Sequence, residues 1–186
     1  MTKIAKYAFE GCIRATTFKV STKVGDEDVT VETKDLPSSI QTVDSRAFAG
    51  CIGLTEVNFP TKLQNLGSEA FRGCTNLSSI SFVDRCPLLL ISSYAFADCP
   101  NLAHVNIPSS VAEIGESAFM GCYALTSIYL GPSVRNLGAK VFFNCTNLED
   151  VTLASGSLSC SADCFRCCYN LETAGPLGGE YNIKFG

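Results

Sequence analysis

One spacing recurs seven times down this chain and limits what it can fold into. A Phe and a Cys stand three residues apart as Phe9/Cys12, Phe48/Cys51, Phe71/Cys74, Phe96/Cys99, Phe119/Cys122, Phe142/Cys145 and Phe165/Cys168. Successive pairs lie 39, 23, 25, 23, 23 and 23 residues apart. A unit of that length is too small to bury an apolar face alone. It must stack on its neighbours, so a solenoid is expected.

Apolar residues keep register within the units. One unit gives Ile114, Ala118, Phe119, Cys122, Leu125, Ile128, Leu130 and Val134; another gives Val43, Ala47, Phe48, Cys51, Leu54, Val57, Phe59 and Leu63. These positions should face inward, with polar positions between them facing out. Leu-x-x-Ile-x-Leu closes in strict alternation, the pattern of a strand with one buried face. Pro60 and Pro108 follow that strand at once and Pro132 one residue later. Proline has no N–H for a ladder and ends the pairing. Ser-x-Ala-Phe-x-x-Cys is too short for a long helix. It reads as one turn of α- or 3₁₀-helix, or as an irregular arch, that packs Phe into the coil.

These residues resemble the BspA-like branch of the leucine-rich repeats, whose pattern is Ile-Gly-x-x-Ala-Phe-x-x-Cys-x-x-Leu-x-x-Ile-x-Ile-Pro. Ile114-Gly115, Ala118-Phe119, Cys122, Leu125, Ile128 and Leu130 match it, as do Ala95-Phe96, Cys99, Leu102, Val105, Ile107 and Pro108. The resemblance covers roughly nine-tenths of the chain. It implies an α/β fold: a right-handed solenoid of about seven coils, with a parallel sheet on the concave face and short helical or irregular arches opposite. It further implies a non-enzymatic protein-binding or adhesion module of a larger cell-surface or secreted protein of a host-associated microbe. The partner would be a host matrix protein or another cell surface. A spacer segment with no ligand of its own is the alternative, because fold does not fix activity.

One array counts as one domain, here residues 1–186. Two insertions break its period. Residues 21–36 carry Val24, then Gly-Asp-Glu-Asp, then Val29 and Val31, which suggests a β-hairpin leaving the solenoid. Two further residues enter between Phe82 and Ile91, beside Cys86. Residues 175–186 drop the register and form a non-repeat tail. Ile4 already occupies a repeat position, so the chain is expected to be a segment of a longer protein or one lacking its leader.

With a net charge of −4 and no Lys/Arg-rich block, the chain is not expected to bind nucleic acid. It has no run of 18 apolar residues, so no membrane insertion is expected of this segment. No phosphate loop or other cofactor fingerprint appears, and Asp26-Glu27-Asp28 lacks the spacing of an EF-hand. Seven of the eleven cysteines hold the repeat position after Phe. That places them in a buried ladder of small apolar fillers whose S–H groups reach a backbone carbonyl of the arch. Cys160, Cys164, Cys167 and Cys168 have a zinc-like spacing, but register explains them better: Cys160 and Cys164 should point inward and Cys167 should lie at a turn. No metal site is expected. Cys86 and Cys167 are expected to be exposed, reactive thiols. The single histidine, His104, lies at an outward strand position with Ser79 and Ser127 as expected neighbours, a polar strip without a triad. The same face should present Glu56, Asn58, His104, Asn106, Tyr129 and Asp150, the candidate partner-binding residues.

Overall fold

The computed structural model describes residues 2–14, 16–24, 27–154, 158–160, 163–171 and 173–176. Among them run fifteen strands: β1 (Lys3–Ile4), β2 (Phe18–Val24), β3 (Glu27–Thr33), β4 (Thr42–Val43), β5 (Glu56–Phe59), β6 (Asn65–Leu66), β7 (Ser79–Phe82), β8 (Leu90–Ile91), β9 (His104–Val105), β10 (Glu113–Ile114), β11 (Ser127–Leu130), β12 (Asn136–Leu137), β13 (Asp150–Leu153), β14 (Ser159–Cys160) and β15 (Thr173–Pro176). The two-residue strands join in one seven-stranded parallel sheet, β1-β4-β6-β8-β10-β12-β14. The strands expected from the alternation form two three-stranded parallel sheets, β5-β7-β9 and β11-β13-β15. β2 and β3 pair antiparallel as a separate ribbon, with Phe18 opposite Thr33 and Val24 opposite Glu27. Its turn, residues 25–26, and the tail beyond 176 lie outside the described residues. The chain rejoins the solenoid at once: Asp35 bridges Asn58 in parallel, and Leu36 is buried.

Two expectations need correction. The solenoid makes about five turns rather than seven. The seven rungs of the long sheet overcount complete coils, because β1 is followed by the ribbon rather than by a strand of the second sheet. The described residues also contain no helix, so this is a β-solenoid rather than an α/β fold.

The arch shows why no helix forms. Arg46 and Gly50 take left-handed backbone, φ 56° and 70°, and the same two positions repeat that geometry in every coil, as at Ser117 (53°) and Gly121 (73°). Alternate N–H groups therefore leave the segment. Those of Arg46, Phe48 and Gly50 donate to the carbonyls of Ser68, Ala70 and Arg72 in the next coil, at 3.0, 2.8 and 2.7 Å. Those of Ala47, Ala49 and Cys51 turn back to Asp44, Arg46 and Phe48, at 3.2, 3.3 and 3.1 Å. A helix would spend every donor within its own turn and leave adjacent coils unjoined.

Inside, the aromatic rings form one column. Phe9, Phe48, Phe71, Phe96, Phe119, Phe142 and Phe165 stack face to face, with successive centroids 5.1, 5.0, 5.6, 5.5, 5.6 and 5.3 Å apart. Phe59 and Phe82 stack beside them at 4.3 Å, and Phe59 meets Phe71 edge-on at 5.5 Å. The expected register is observed: Val43, Leu54, Val57, Leu66, Ile91, Ile114, Leu125 and Leu137 are all buried in the same core.

Close stacking needs a missing side chain where the long sheet meets the previous arch. A Cβ on Gly67 would lie 2.4 Å from the backbone nitrogen of Ser45 and 2.6 Å from the carbonyl carbon of Asp44. Backbone cannot swing aside, so Gly67→Ala is expected to cost about 2 kcal/mol in urea unfolding. Gly131→Ala is the control. Its nearest neighbour would be the Ser109 Cα at 3.5 Å, so stability should hold or rise by about 0.5 kcal/mol.

Candidate functional site

The outward residues of the second set of strands follow from the alternation. Val57 and Phe59 point into the core, so Glu56 and Asn58 point out; Ile128 and Leu130 point in, so Ser127 and Tyr129 point out. Parallel register then lines Glu56, Ser79 and His104 into one row and Asn58 and Ser81 into the next. Ser127 aligns with Asp150, and Tyr129 with Thr152.

The six candidate residues do not share one sheet. Glu56, Asn58 and His104 lie on the first three-stranded sheet, with Asn106 just past the end of β9. Tyr129 and Asp150 lie on the second. The sheets part where β9 has shrunk to two residues and offers too little backbone to carry the ladder on. Four of the six already have partners: Glu56 makes an ion pair with Lys34 at 2.6 Å, and Asn58 donates to Asp35 at 2.6 Å and accepts from Ser81. Asn106 donates weakly to the Phe82 carbonyl at 3.4 Å. Asp150 accepts from Thr152 at 3.2 Å. His104 is exposed, as is the ring of Tyr129, at 49%.

A second surface was not singled out from the sequence. Across the arches Glu10, Arg46, Glu69, Arg72 and Asp98 alternate in sign. Arg46 pairs with Glu10 at 2.5 Å, and Arg72 with Glu69 at 3.3 Å and Asp98 at 3.1 Å. They flank an open cleft of about 330 Å³ floored by Gly11, Gly50 and Gly73. Asp98 beside it, then burial against it, governs the Arg72 guanidinium, whose pKa is raised. The signal was present, since these charges sit next to the repeat Phe or two residues from it, with sign alternating along the sequence. Each guanidinium already has its carboxylates, and exposed pairs of this kind contribute little stability.

The cysteines divide by chemistry. Cys51, Cys74, Cys99, Cys122, Cys145 and Cys168 each donate to the carbonyl of the Phe one coil earlier, at 2.9, 3.1, 3.2, 3.3, 3.2 and 3.1 Å. The expected ladder is thus present, with a backbone acceptor at every step. Burial pushes the Cys51 and Cys168 thiols up to about 11 and Cys99 up to about 12, and raises Cys74, Cys122 and Cys145 as well. Cys86 is corrected: it is fully buried, donates to the Leu63 carbonyl at 3.4 Å, and has its pKa raised by burial. The two-residue insertion turns its thiol into the core. Cys160 is corrected the other way. It shares register with Leu137, yet it is exposed on the last described rung of the long sheet. Cys164 is buried and Cys167 half-buried, with Cys167 in left-handed backbone at φ 64°. Among the described residues no three His, Cys, Asp or Glu side chains converge as metal ligands. Nor is any helix among them long and apolar enough to cross a membrane.

A family model for the BspA type leucine rich repeat region matches residues 26–89 and 87–176, in six copies. The chain belongs to the BspA-type leucine-rich repeat family. Among solved structures it is similar to the leucine-rich repeat protein of T. pallidum, with 27% identity over 83% of this chain and 88% of that one and a TM-score of 0.66. It is similar in fold to a leucine-rich repeat protein from Bacteroides ovatus, with 20% identity over 92% of this chain and 57% of that one and a TM-score of 0.51. A leucine rich cell surface protein from Faecalibacterium prausnitzii matches at 22% identity over 96% of this chain and 58% of that one, with a TM-score of 0.47. This BspA-type chain thus spans a little over half the length of the last two. No curated protein matches it.

Proposed function

We propose that this BspA-type solenoid is a non-enzymatic binding module that holds a protein partner on the outward face of its second set of strands. The single observation that carries this reading is the ring of Tyr129, which stands exposed on β11 in register with Thr152, next to the row of Ser127 and Asp150. Tyrosine supplies contact area and a polar tip at little entropic cost, which is why it is favoured at interface centres. His104 and Glu56 continue the polar row on the neighbouring sheet. Family membership supports placement of the module on a cell surface or in secreted form, facing host matrix or another cell.

The test is capture of immobilised extracellular-matrix proteins and of whole cells. Substituting Glu56, His104, Tyr129 and Asp150 together should abolish capture, and Tyr129→Ala alone should weaken it roughly 30-fold. The thermal midpoint should stay put, because exposed substitutions away from caps and turns change stability by less than about 0.5 kcal/mol. Capture undiminished by the fourfold variant would leave a spacer, or a surface elsewhere on the molecule, as the better reading.

A further inference from the structure

The long sheet is laced by a repeating pattern of backbone bonds, and one step breaks it. Two successive N–H groups converge on one carbonyl of the coil before. Gln64 and Asn65 share the Gln41 carbonyl at 2.8 and 3.0 Å, Ala112 and Glu113 share Leu89 at 2.8 and 3.3 Å, and Arg135 and Asn136 share Ala112 at 2.9 and 3.4 Å. Leu89 and Leu90 hold the same two positions in the rung of β8. Neither donates to Gln64, whose carbonyl accepts from no backbone N–H among the described residues. β6 and β8 pair only through Leu66 and Ile91, whereas the steps on either side pair at two positions. The two-residue insertion enters the sheet at this step. Its body is tied down elsewhere: the Cys86 thiol donates to the Leu63 carbonyl at 3.4 Å, and the Ser110 hydroxyl to the Leu88 carbonyl at 2.7 Å. Its exit leaves Leu89 and Leu90 exposed.

The same two coils are fully bonded on their other sides. In the arch the N–H groups of Glu69, Phe71 and Gly73 donate to Ser93, Ala95 and Ala97 at 3.0, 2.8 and 2.9 Å. On the second sheet those of Ala103 and His104 donate to Ser78 at 3.0 and 3.1 Å. We propose that the step between β6 and β8 is a hinge built by the insertion: the coils before and after it rock about the bonded arch, opening and closing the long sheet along one seam. Backbone bonds hold neighbouring coils together, so a seam lacking them opens at lower cost than the rungs beside it. An open groove of about 210 Å³ straddles the seam, with Thr42, Asp44, Gln64 and Gly67 on one bank and Leu90 and Ser92 on the other. Rocking changes the width of that groove and leaves the aromatic column as its fulcrum.

The test is nuclear magnetic resonance on the whole chain, labelled with ¹⁵N and ²H and kept in reductant. The Leu89 and Leu90 amides should exchange with solvent at least about 100-fold faster than those of Ala112 and Glu113 one rung on. Relaxation dispersion should report motion in the microsecond-to-millisecond range at Asn65, Leu66, Leu90 and Ile91, with flat profiles at Glu113, Ile114, Asn136 and Leu137. Deleting the exposed Asp84 and Arg85 restores the 23-residue spacing found in the neighbouring units. That variant should flatten the dispersion and slow both leucine amides by about 100-fold. Leucine amides as protected as Ala112 and Glu113 in the parent would mean that the seam is closed in solution. Fast exchange with flat profiles across β6 and β8 would mean a fixed gap. Either result would overturn the proposal, as would a folded deletion variant that keeps the dispersion.

Discussion

Raising the pH from 9 to 11 is expected to unfold this protein even with reductant present. The cause is the thiol ladder. Cys74, Cys99, Cys122 and Cys145 are buried, each donates its proton to a Phe carbonyl, and desolvation is the first cause of each raised pKa. In the unfolded chain the same thiols ionise near 9.0, the ordinary value for a free thiol. A group whose folded pKa lies above its unfolded pKa contributes stability that is complete below the unfolded value. That stability is lost as pH climbs towards the folded one. Each such thiol removes roughly 1.4 kcal/mol per pH unit in that window. Four of them remove about 5 kcal/mol per unit, against a total stability of about 5–15 kcal/mol for an ordinary domain. The check is the urea midpoint followed from pH 8 to 11. Replacing Cys99 and Cys122 by alanine should cut the slope above pH 9 by about a third, since two of the six ladder thiols no longer titrate. A midpoint flat to pH 11 would show that the ladder thiols do not stay protonated in the fold.

How much of this could be read from the residues depended on how far each signal repeats. The Phe column and a backbone acceptor for the repeat Cys were legible because seven coils impose the same choice at the same position; that the acceptor is the Phe carbonyl one coil earlier was not. The strands β5, β7, β11 and β13 were legible because four alternating residues suffice to show a period of two. The long sheet was not, since a two-residue strand has no period, and its pairing is dictated by stacking rather than by local pattern. The arch was half legible. Ser-x-Ala-Phe looks like a first helical turn, but the residue two before Phe holds left-handed backbone whether it is Arg46, Glu69, Ser117 or Lys140. No side chain there announces it; the bonds between coils impose it. Cys86 and Cys160 misled for opposite reasons. Cys86 sits in the two-residue insertion, off the register, yet is fully buried; register placed Cys160 inward, but on the last described rung it is exposed. On the outward face the polar residues were placed correctly one by one. Their division between two sheets was not visible, because it depends on where one ladder stops.

Phe96→Ala should cost about 3–5 kcal/mol and put the midpoint of urea unfolding near the edge of measurable stability. The ring has no solvent contact and stacks on Phe71 at 5.6 Å and Phe119 at 5.5 Å, with Phe59 edge-on at 6.3 Å. Deleting it leaves a cavity whose walls are rings belonging to other coils. Those rings are held by backbone bonds on both sides of the arch, Phe71 N–H to Ala95 and Phe96 N–H to Ala118, at 2.8 and 2.9 Å. The walls therefore cannot collapse into the hole, and the cost sits at the high end for an aromatic deletion. Phe9→Ala is the internal comparison. Among the described residues its ring stacks on one neighbour, and it is 41% exposed, so the same change should cost about 1–2 kcal/mol. A stack of coils coupled only to their neighbours makes one more demand. Breaking the column at Phe96 should weaken the link between the two halves of the solenoid, so that unfolding followed by fluorescence and by circular dichroism no longer coincides. Equal losses at Phe9 and Phe96, or a Phe96→Ala transition as sharp as that of the parent, would mean that the rings fill space without coupling the coils.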